Sequence, residues 1–263
     1  MEALHVNSDR GWAWIKHGTK LFMKAPLLWV ALLIVCLISA LAISSVPYLG
    51  EAVVSLLTPV ILAGLMTGSR ALDQGNELEL KHLFSGFRKA TTSLVTLGGI
   101  SLVAQYAIFA VMMALGGGDL VSLLMSHEPV SDPNVLIQAA NGAGLAMMVG
   151  VLLFSLLMMA MQYAPMLVYF RAVPPIPAMK LSFSAFLANI GAMMVYGLIF
   201  FSLAIFASLP MMLGWLVLMP LMFTSLYSSY AEIFPAIKTD DLSAVDTDSP
   251  PDQERQYSEH EPN

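Results

Sequence analysis

The sequence contains very little charge for its length. Of its 263 residues, only 11% are charged and 57% are hydrophobic, whereas roughly a quarter of the residues in a soluble domain are charged. A water-soluble fold of this size would not have enough polar side chains to cover its surface. The shortage excludes an ordinary soluble domain and predicts a protein whose outer surface faces lipid.

Metal-binding residues are also scarce. The single cysteine, Cys36, lies in an apolar run and is interpreted as a small packing residue. Cys and His residues do not occur with the spacing of a metal site, so we expect no metal and no cofactor. The nineteen methionines, including Met158, Met159, Met161 and Met166, favour flexible helix packing, although thioethers also suit monovalent copper.

Residues suited to catalysis or transport are equally few. The serines of the apolar segments have no paired His or Asp in the sequence, and His17 and His82 fall in amphipathic stretches. Gly116-Gly117-Gly118 ends an apolar run and is interpreted as a helix stop rather than a phosphate-binding loop. Charges inside spans usually mark transport sites, but Glu51 and Glu232 only begin and end such runs. We therefore expect neither an enzyme nor proton coupling.

Long uncharged runs, by contrast, are abundant. A helix needs about 20 apolar residues to cross the roughly 30 Å of hydrocarbon in a bilayer. Divided at the turn signals Asn141-Gly142 and Pro210, the runs predict six spans, at about 27–46, 52–69, 94–115, 144–170, 190–209 and 215–231. We expect an all-α, polytopic membrane helical bundle over residues 1–235.

All twelve Lys and Arg residues fall on connections that six spans place on one side of the membrane. They lie in the N-terminal segment, in residues 70–90 and 171–187, and in the C-terminal tail. The alternate connections, 47–51, 116–140 and 210–214, contain none, whereas five or seven spans would scatter the cations. Because Lys and Arg resist translocation, we predict that both termini are cytoplasmic and that the membrane is the bacterial inner membrane.

A secretory signal peptide is an alternative interpretation of the first span. Such a peptide has a basic region, an apolar core and a cleavage motif of small residues. The sequence offers Lys16, Lys20 and Lys24, then a short apolar core, and then Ala40-Leu41-Ala42. Cleavage after Ala42 would leave five spans without disturbing the charge pattern. The long segment before the core, with its two tryptophans, favours an uncleaved span.

A short amphipathic stretch precedes each odd-numbered span. Its apolar residues follow helical spacing in all three cases, namely Trp12, Ile15, Thr19, Phe22 and Met23; Leu80, Leu83, Phe84 and Phe87; and Met179, Phe183, Phe186 and Leu187. Helices of this kind lie flat at the headgroup level. The cations predicted to contact lipid headgroups are Lys16, Lys20, Lys24, Lys81, Arg88, Lys89 and Lys180. Asn76 and Glu79 have the spacing of a capping pair for the second stretch.

Each even-numbered span contains a proline: Pro59, Pro165 and Pro220. Amphipathic stretch, span and kinked span therefore recur as three approximate repeats. The prolines either shape the helices for packing or line a central cavity. Gly64 and Gly68 form a small-xxx-small pair that predicts close helix packing within the chain.

Several segments together resemble a family of uncharacterised proteobacterial inner-membrane proteins. They are residues 11–14 (GWAW), 24–29 (KAPLLW), 57–59 (LTP) with Gly64, 82–88 (HLFSGFR), 163–168 (YAPMLV) and 178–185 (AMKLSFSA). The wider group resembles the YciC-like proteins and the membrane domains attached to some glycerophosphodiester phosphodiesterases. The resemblance covers about residues 10–235 and implies a six-helix inner-membrane fold, with no catalytic activity attached to it.

The C-terminal tail, residues 236–263, differs from the rest of the chain. It contains eight acids and two bases, so it accounts for the whole net charge of −6 and leaves the preceding residues neutral. Few of its residues favour burial, so we expect disorder. The loop at 116–140 combines acids with apolar residues and predicts a short surface helix.

These features predict a non-enzymatic inner-membrane protein with a structural, assembly or envelope- and lipid-related interaction role. Its expected partners are membrane phospholipids and other membrane proteins, not nucleic acid, and its oligomeric state is left open. The alternative is a transporter or lipid-translocating permease with a cavity lined by the proline-containing helices. A polar cavity reaching mid-bilayer would favour transport, a packed centre would argue against it, and clustered His, Asp or Ser side chains would favour an intramembrane enzyme.

Overall fold

The computed structural model describes residues 3–46, 49–126, 132–209 and 211–235, and these contain helices and no strands. The expected disorder of residues 236–263 lies outside this part. The helices are α1 Arg10–Lys24, α2 Pro26–Ser44, α3 Gly50–Asp73, α4 Ser85–Arg88, α5 Thr91–Met112, α6 Gly118–Ser126, α7 Pro133–Ala140, α8 Gly144–Met161, α9 Ala164–Arg171, α10 Pro175–Ala188, α11 Ile190–Ser208 and α12 Trp215–Ile233. A 3-10 turn, Leu80–Phe84, precedes α4, and a π turn, Met113–Gly117, follows α5.

Five helical stretches in the described part are long and apolar enough to cross a membrane. They are Pro26–Ser44, Gly50–Asp73, Thr91–Leu123, Gly144–Arg171 and Ile190–Ser208. The sixth expected span corresponds to α12, which is not among them. Its C-terminal half carries hydroxyl groups, and Thr224, Ser225 and Ser229 are buried against other helices. The composition of α12 is therefore that of a helix covered by protein rather than by lipid.

The third expected span ends at a glycine, as the sequence indicated, and the fourth is interrupted just before a proline. Gly116 has a φ of 88°, which glycine adopts without the cost that a side chain imposes, and the chain turns there into α6. The expected span at 144–170 is two helices, because the chain breaks at Gln162 and Tyr163, just before Pro165. Pro165 therefore begins α9 rather than kinking a continuous helix.

A serine hydroxyl replaces the backbone hydrogen bonds lost at this break. Ser182 of α10 is fully buried; its Oγ accepts the Tyr163 N–H at 2.9 Å and donates to the Met159 carbonyl at 2.9 Å. An inserted side chain of this kind is one of the physical causes of a sharp bend between helices. The bend is thus held from outside by α10.

The three short segments that precede long helices pack in a recurring way. The helix α1 lies on α12, the 3-10 turn with α4 lies on α3, and α10 lies on α8 and α9. Glycines permit the closest approaches: Gly18 faces the backbone of Ser225, and Gly86 faces the carbonyl of Val60. Each short segment therefore contacts a proline-containing helix, and in the case of α1 and α12 the two lie at opposite ends of the chain.

The buried core lies where α3, α9 and α12 meet these short segments. Its fully buried members include Val60, Met66, Tyr163, Leu167 and Ile233. In contrast, α2, α8 and α11 expose large apolar side chains along most of their length. An apolar outer surface suits a lipid environment and would be costly in water.

The residues that α1 and α10 bury within the protein differ in part from the apolar residues that the sequence pattern indicated. In α1, Trp12 and Met23 are 50% and 64% exposed, whereas Trp14 and Leu21 are 2% and 1% exposed. In α10 the buried face consists of Ala178, Ser182 and Ala185, and the larger Met179, Phe183 and Phe186 are only partly buried. These helices pack against other helices as well as facing outward, so small residues occupy the inner face where backbones approach closely.

The second amphipathic stretch is not one continuous α-helix. Leu83 is buried, whereas Phe84 and Phe87 are exposed on the 3-10 turn and α4. The expected pairing of Asn76 with Glu79 was also wrong: Glu79 is itself the N-cap, and its partner is His82. The capping box is present, three residues later than the sequence indicated.

Candidate functional site

Cation-bearing segments from distant parts of the chain meet at one end of the molecule. Lys24 at the end of α1 donates to the carbonyl of Leu72 in α3, with an N–O distance of 2.6 Å. The Arg70 guanidinium lies over the Phe170 ring of α9, 5.2 Å from its centroid. These contacts place the ends of α1, α3 and α9 together.

Two further contacts join the remaining segments to this end. The Lys89 ammonium lies 5.7 Å from the ring centroid of Tyr169. Arg171 donates to the Phe234 carbonyl at 2.7 Å, just beyond α12. We call the surface formed by α1, the C-terminal ends of α3, α9 and α12, the segment 74–90 and α10 the cationic end. The positions of Lys and Arg in the sequence assigned these segments to one side of the membrane, and the contacts given above join them in the structure.

The seven cations predicted to contact headgroups differ in their surroundings. Lys24 and Lys89 make the contacts given above, and Lys81 forms an ion pair with Glu79 at 2.7 Å. The other four are exposed and have no ion pair within the described residues, namely Lys16, Lys20, Arg88 and Lys180. Lys16 lies 6.0 Å from the Trp12 ring centroid. An exposed ammonium or guanidinium without an acid partner is available to an anion.

The capping box of the 3-10 turn depends on a neutral histidine. His82 Nδ1 accepts the Glu79 N–H at 3.1 Å. Burial lowers the pKa of His82 from its ordinary value, which keeps Nδ1 unprotonated and able to accept. The hydrogen bond from Lys81 lowers the pKa of Glu79, which keeps that carboxylate ionised.

Glu232 attaches α1 to the end of α12. Its two carboxylate oxygens accept from Arg10 Nε and from Trp14 Nε1, each at 2.6 Å. The hydrogen bond to Glu232 also raises the pKa of Arg10. The sequence indicated an interfacial acid here, and the carboxylate joins two helices.

The side-chain amide of Asn189 holds the N-terminal segment in place. Asn189, buried between α10 and α11, accepts the Val6 N–H at 2.8 Å and donates to the Leu4 carbonyl at 2.9 Å. Gln105, by contrast, donates to Ser101 within its own helix at 3.2 Å. Asn189 therefore joins distant segments, whereas Gln105 does not.

The expectation that no serine has a His or Asp partner was wrong. Ser228 Oγ lies 3.0 Å from His17 Nδ1, and His17 Nε2 lies 3.3 Å from Asp73 Oδ1. The Tyr227 hydroxyl donates to the other oxygen of Asp73 at 3.3 Å. Helices α1, α3 and α12 thus bring together side chains of the types found in a nucleophilic triad. The three positions are far apart in the sequence, and no motif links them.

The hydrogen-bond directions in this cluster do not fit a nucleophile. A catalytic serine must give its proton to the histidine, but Ser228 donates to the Thr224 carbonyl of its own helix at 2.9 Å. With its proton engaged in this way, Ser228 can only accept a hydrogen bond from His17 Nδ1. Ser228 is only 5% exposed. The geometry is that of a polar junction between three helices.

The three prolines lie apart from the cavities described below. Pro59 and Pro220 are buried inside α3 and α12, and Pro165 is buried at the start of α9. Because Pro59 has no backbone N–H, the Ser55 carbonyl lacks its helical hydrogen-bond donor. Gly98 of α5 packs close to that carbonyl. The prolines are therefore surrounded by protein.

Gly64 and Gly68 lie on the buried side of α3. Gly64 faces the backbone carbonyl of Leu83, so the 3-10 turn approaches α3 at this point. A Cβ at Gly68 would lie 2.6 Å from the Leu78 side chain and 3.8 Å from Trp29. Both glycines therefore allow close packing between segments of the same chain.

An open apolar groove of about 630 Å³ lies between α5, α8 and α10. Its walls include Met112, Met147, Phe154, Met158 and Phe186, with Gln162 at one end. A second cavity, of about 440 Å³, lies between α6 and α7 and includes Asp119, Ser122 and Gln138. Neither is a polar passage along the centre of the helices, where Met66, Met166 and Leu167 are fully buried. This packing does not favour the transporter alternative.

The methionines considered as copper ligands are divided between two environments. Met158 and Met159 line the apolar groove, whereas Met166 is fully buried in the core. Within the described residues, no group of three or more His, Cys, Asp or Glu side chains is placed to hold a metal ion. Both environments are apolar, which suits packing by thioether side chains.

Comparison with known proteins gives one informative similarity. No protein-family model matches the chain, and no solved structure matches it. The chain is 29% identical over 256 residues to a protein of Burkholderia thailandensis named as a probable inner membrane protein, covering 89% of this chain and 94% of that protein. Together with its apolar helices, this similarity identifies the chain as a multi-pass membrane protein. The resemblance to YciC-like proteins remains a prediction.

Proposed function

We propose that this chain is a six-span inner-membrane protein with a non-enzymatic, lipid-related structural or assembly role. Its N- and C-termini lie in the cytoplasm, and its cationic end binds anionic phospholipid headgroups of the inner leaflet. The similarity to a probable inner membrane protein supports the location. The resemblance to proteobacterial inner-membrane proteins supports the same fold but adds no activity.

The sixth span in this proposal is α12. Its 19 residues correspond to about 28 Å of helix, close to the thickness of the hydrocarbon layer. Its hydroxyl groups are covered by α1 and neighbouring helices, so they need not face lipid. The recurring contact between a short segment and a proline-containing helix supports three related units of two spans each.

One observation carries the proposal: segments bearing Lys and Arg meet at the same end of the molecule. Ten bases precede residue 236, and all lie on segments of the cationic end. Each Lys or Arg near an anionic membrane surface contributes about 1 kcal/mol of attraction. The exposed apolar face of α2 begins at Leu27, three residues after Lys24, as expected for a helix that enters lipid below the headgroups.

The proposal is tested by lipid-dependent stability of the purified protein in detergent. Phosphatidylglycerol, which is anionic, is expected to raise the thermal midpoint more than phosphatidylcholine does. Replacing the four exposed cations without ion pairs (Lys16→Gln, Lys20→Gln, Arg88→Gln, Lys180→Gln) is expected to remove most of this preference. Equal stabilisation of the unmodified protein by the two lipids would contradict the proposal.

A matched control removes charged groups without changing the net charge. The double variant Glu79→Gln/Lys81→Gln eliminates an existing ion pair. Because the Lys81 ammonium is already paired with Glu79, this variant is expected to keep more of the preference for phosphatidylglycerol than the four-cation variant does.

A further inference from the structure

The described chain ends at the cationic end, and an acidic segment follows. Arg171 donates to the carbonyls of both Phe234 and Pro235, which fixes where residue 236 begins. Eight acids occur in the 28 residues that follow, namely Asp240, Asp241, Asp246, Asp248, Asp252, Glu254, Glu259 and Glu261. Only Lys238 and Arg255 oppose them.

The charges of the tail and of the cationic end are complementary. The segments that the sequence places on the same side of the membrane contain ten bases before residue 236, and six acids oppose them, so their net charge is +4; the acids are Glu2, Asp9, Asp73, Glu77, Glu79 and Glu232. The tail contributes −6, which leaves this side of the protein at −2. The tail thus carries enough negative charge to neutralise every excess cation at the surface from which it starts.

We propose that residues 236–263 bind the cationic end of their own chain and compete there with anionic phospholipid headgroups. This inference rests on the proposed lipid contact and adds its regulation. The tail and the headgroups compete for four cations that are exposed and without ion pairs in the described part of the chain, namely Lys16, Lys20, Arg88 and Lys180.

Covalent attachment makes the tail a strong competitor for these cations. Asp240 is five residues from Pro235, which limits its distance to roughly 17 Å, and the whole tail can extend at most about 90–100 Å. A tethered segment acts at an effective concentration in the millimolar range, above that of a tail on a second copy in dilute solution. The attraction is electrostatic and weakens as salt shortens the Debye length to about 3 Å at 1 M.

Two measurements on the full-length protein test the proposal, and one of them needs no lipid. Carbodiimide joins a carboxylate directly to an amine in contact with it, and mass spectrometry locates the link. We expect links from tail acids to Lys16, Lys20 or Lys180 within one chain at low salt, and few at 1 M salt.

The second measurement uses a neutral tail of the same length. Changing the eight acids to Asn or Gln is expected to lower the concentration of phosphatidylglycerol needed for half-maximal thermal stabilisation by about three- to tenfold. The difference is expected to disappear at high salt. Phosphatidylcholine is expected to act equally on both proteins.

The possible results separate this inference from the proposed function. Absence of links within one chain, or links that occur only between two copies, would overturn the binding of the tail to its own chain. Unchanged phosphatidylglycerol affinity in the neutral-tail protein would overturn competition. If neither protein prefers phosphatidylglycerol while the links are present, the lipid-binding proposal fails and the tail contact stands.

Discussion

Gly18 illustrates how a single missing side chain sets the distance between two helices. A Cβ at this position would lie 2.6 Å from the backbone of Ser225, which is too close for any real contact. We predict that Gly18→Ala lowers the free energy of unfolding by about 1–3 kcal/mol, because α1 must move away from α12. Thermal unfolding in detergent measures the change.

Gly197 provides the control, because a Cβ there would meet none of the described atoms within 4 Å. In a helix, Ala is more favourable than Gly by up to about 1 kcal/mol, so Gly197→Ala is expected to be neutral or stabilising. Equal losses of stability in the two variants would refute the role of close packing at Gly18.

The capping box at Glu79 and His82 is predicted to depend on pH. Because the pKa of His82 is lowered in the folded protein, its stabilisation is complete above the ordinary value and is lost as the pH falls through the lowered one. Once protonated, Nδ1 no longer accepts the Glu79 N–H. The loss is expected to be about 0.5 kcal/mol or less, because the site is half solvated.

Amide hydrogen exchange of residues 79–84 measures this effect. The rates, corrected for intrinsic pH dependence, are expected to rise on acidification in the unmodified protein. His82→Gln removes the titrating group and is expected to make the corrected rates independent of pH in this range. A similar rise in both proteins would show that another group is responsible.

Residue-level contacts were only partly predictable from the sequence. The capping residues were found with a shift in register, because Glu79 suits either role in the motif. The cluster of Ser228, His17 and Asp73 was missed, because pairing between distant residues depends on how helices pack. No pattern within a single sequence specifies that packing.

At the scale of secondary-structure elements, Ser182 holds the junction between α8 and α9. It satisfies one backbone donor and one backbone acceptor at a fully buried site. We predict that Ser182→Ala lowers the free energy of unfolding by about 1–3 kcal/mol, because a buried group left without a partner costs that much. Thermal or denaturant unfolding in detergent is the measurement.

Ser184 on the same helix is the matched control. Its hydroxyl is exposed and donates only to the Leu181 carbonyl of its own helix. We expect Ser184→Ala to change stability by no more than about 0.5 kcal/mol. A Ser182→Ala protein as stable as the Ser184→Ala protein would mean that water or a backbone shift replaces the buried hydroxyl.

Helical segments were easier to predict than their inner faces. Hydrophobic runs indicated α2, α3, α5, α8 and α11 because lipid requires long apolar stretches. In a membrane protein, however, large apolar residues suit both lipid and core, so periodicity did not separate the two. The inner face of α10 uses small residues, α1 combines glycines with large apolar residues, and α12 uses hydroxyl groups, which hydropathy alone does not favour.

At the scale of the whole molecule, the charge pattern was the most informative part of the sequence. It grouped segments that are far apart in the chain, and contacts from Lys24, Arg70, Lys89 and Arg171 join those segments at one end. The grouping was predictable because it depends on how often the chain crosses the bilayer. The order in which helices surround the core was not predictable, because it depends on side-chain fit.

The central claim is that the cationic end faces the cytoplasm, and cysteine labelling in intact cells tests it most directly. Because the chain has one cysteine, Cys36→Ser gives a background for Asn76→Cys, next to the cationic end, and Ser122→Cys in α6. A membrane-impermeant maleimide is predicted to label the Ser122→Cys protein in intact cells, and the Asn76→Cys protein only after the inner membrane is opened. Labelling of Asn76→Cys in intact cells, with Ser122→Cys protected, would contradict the account.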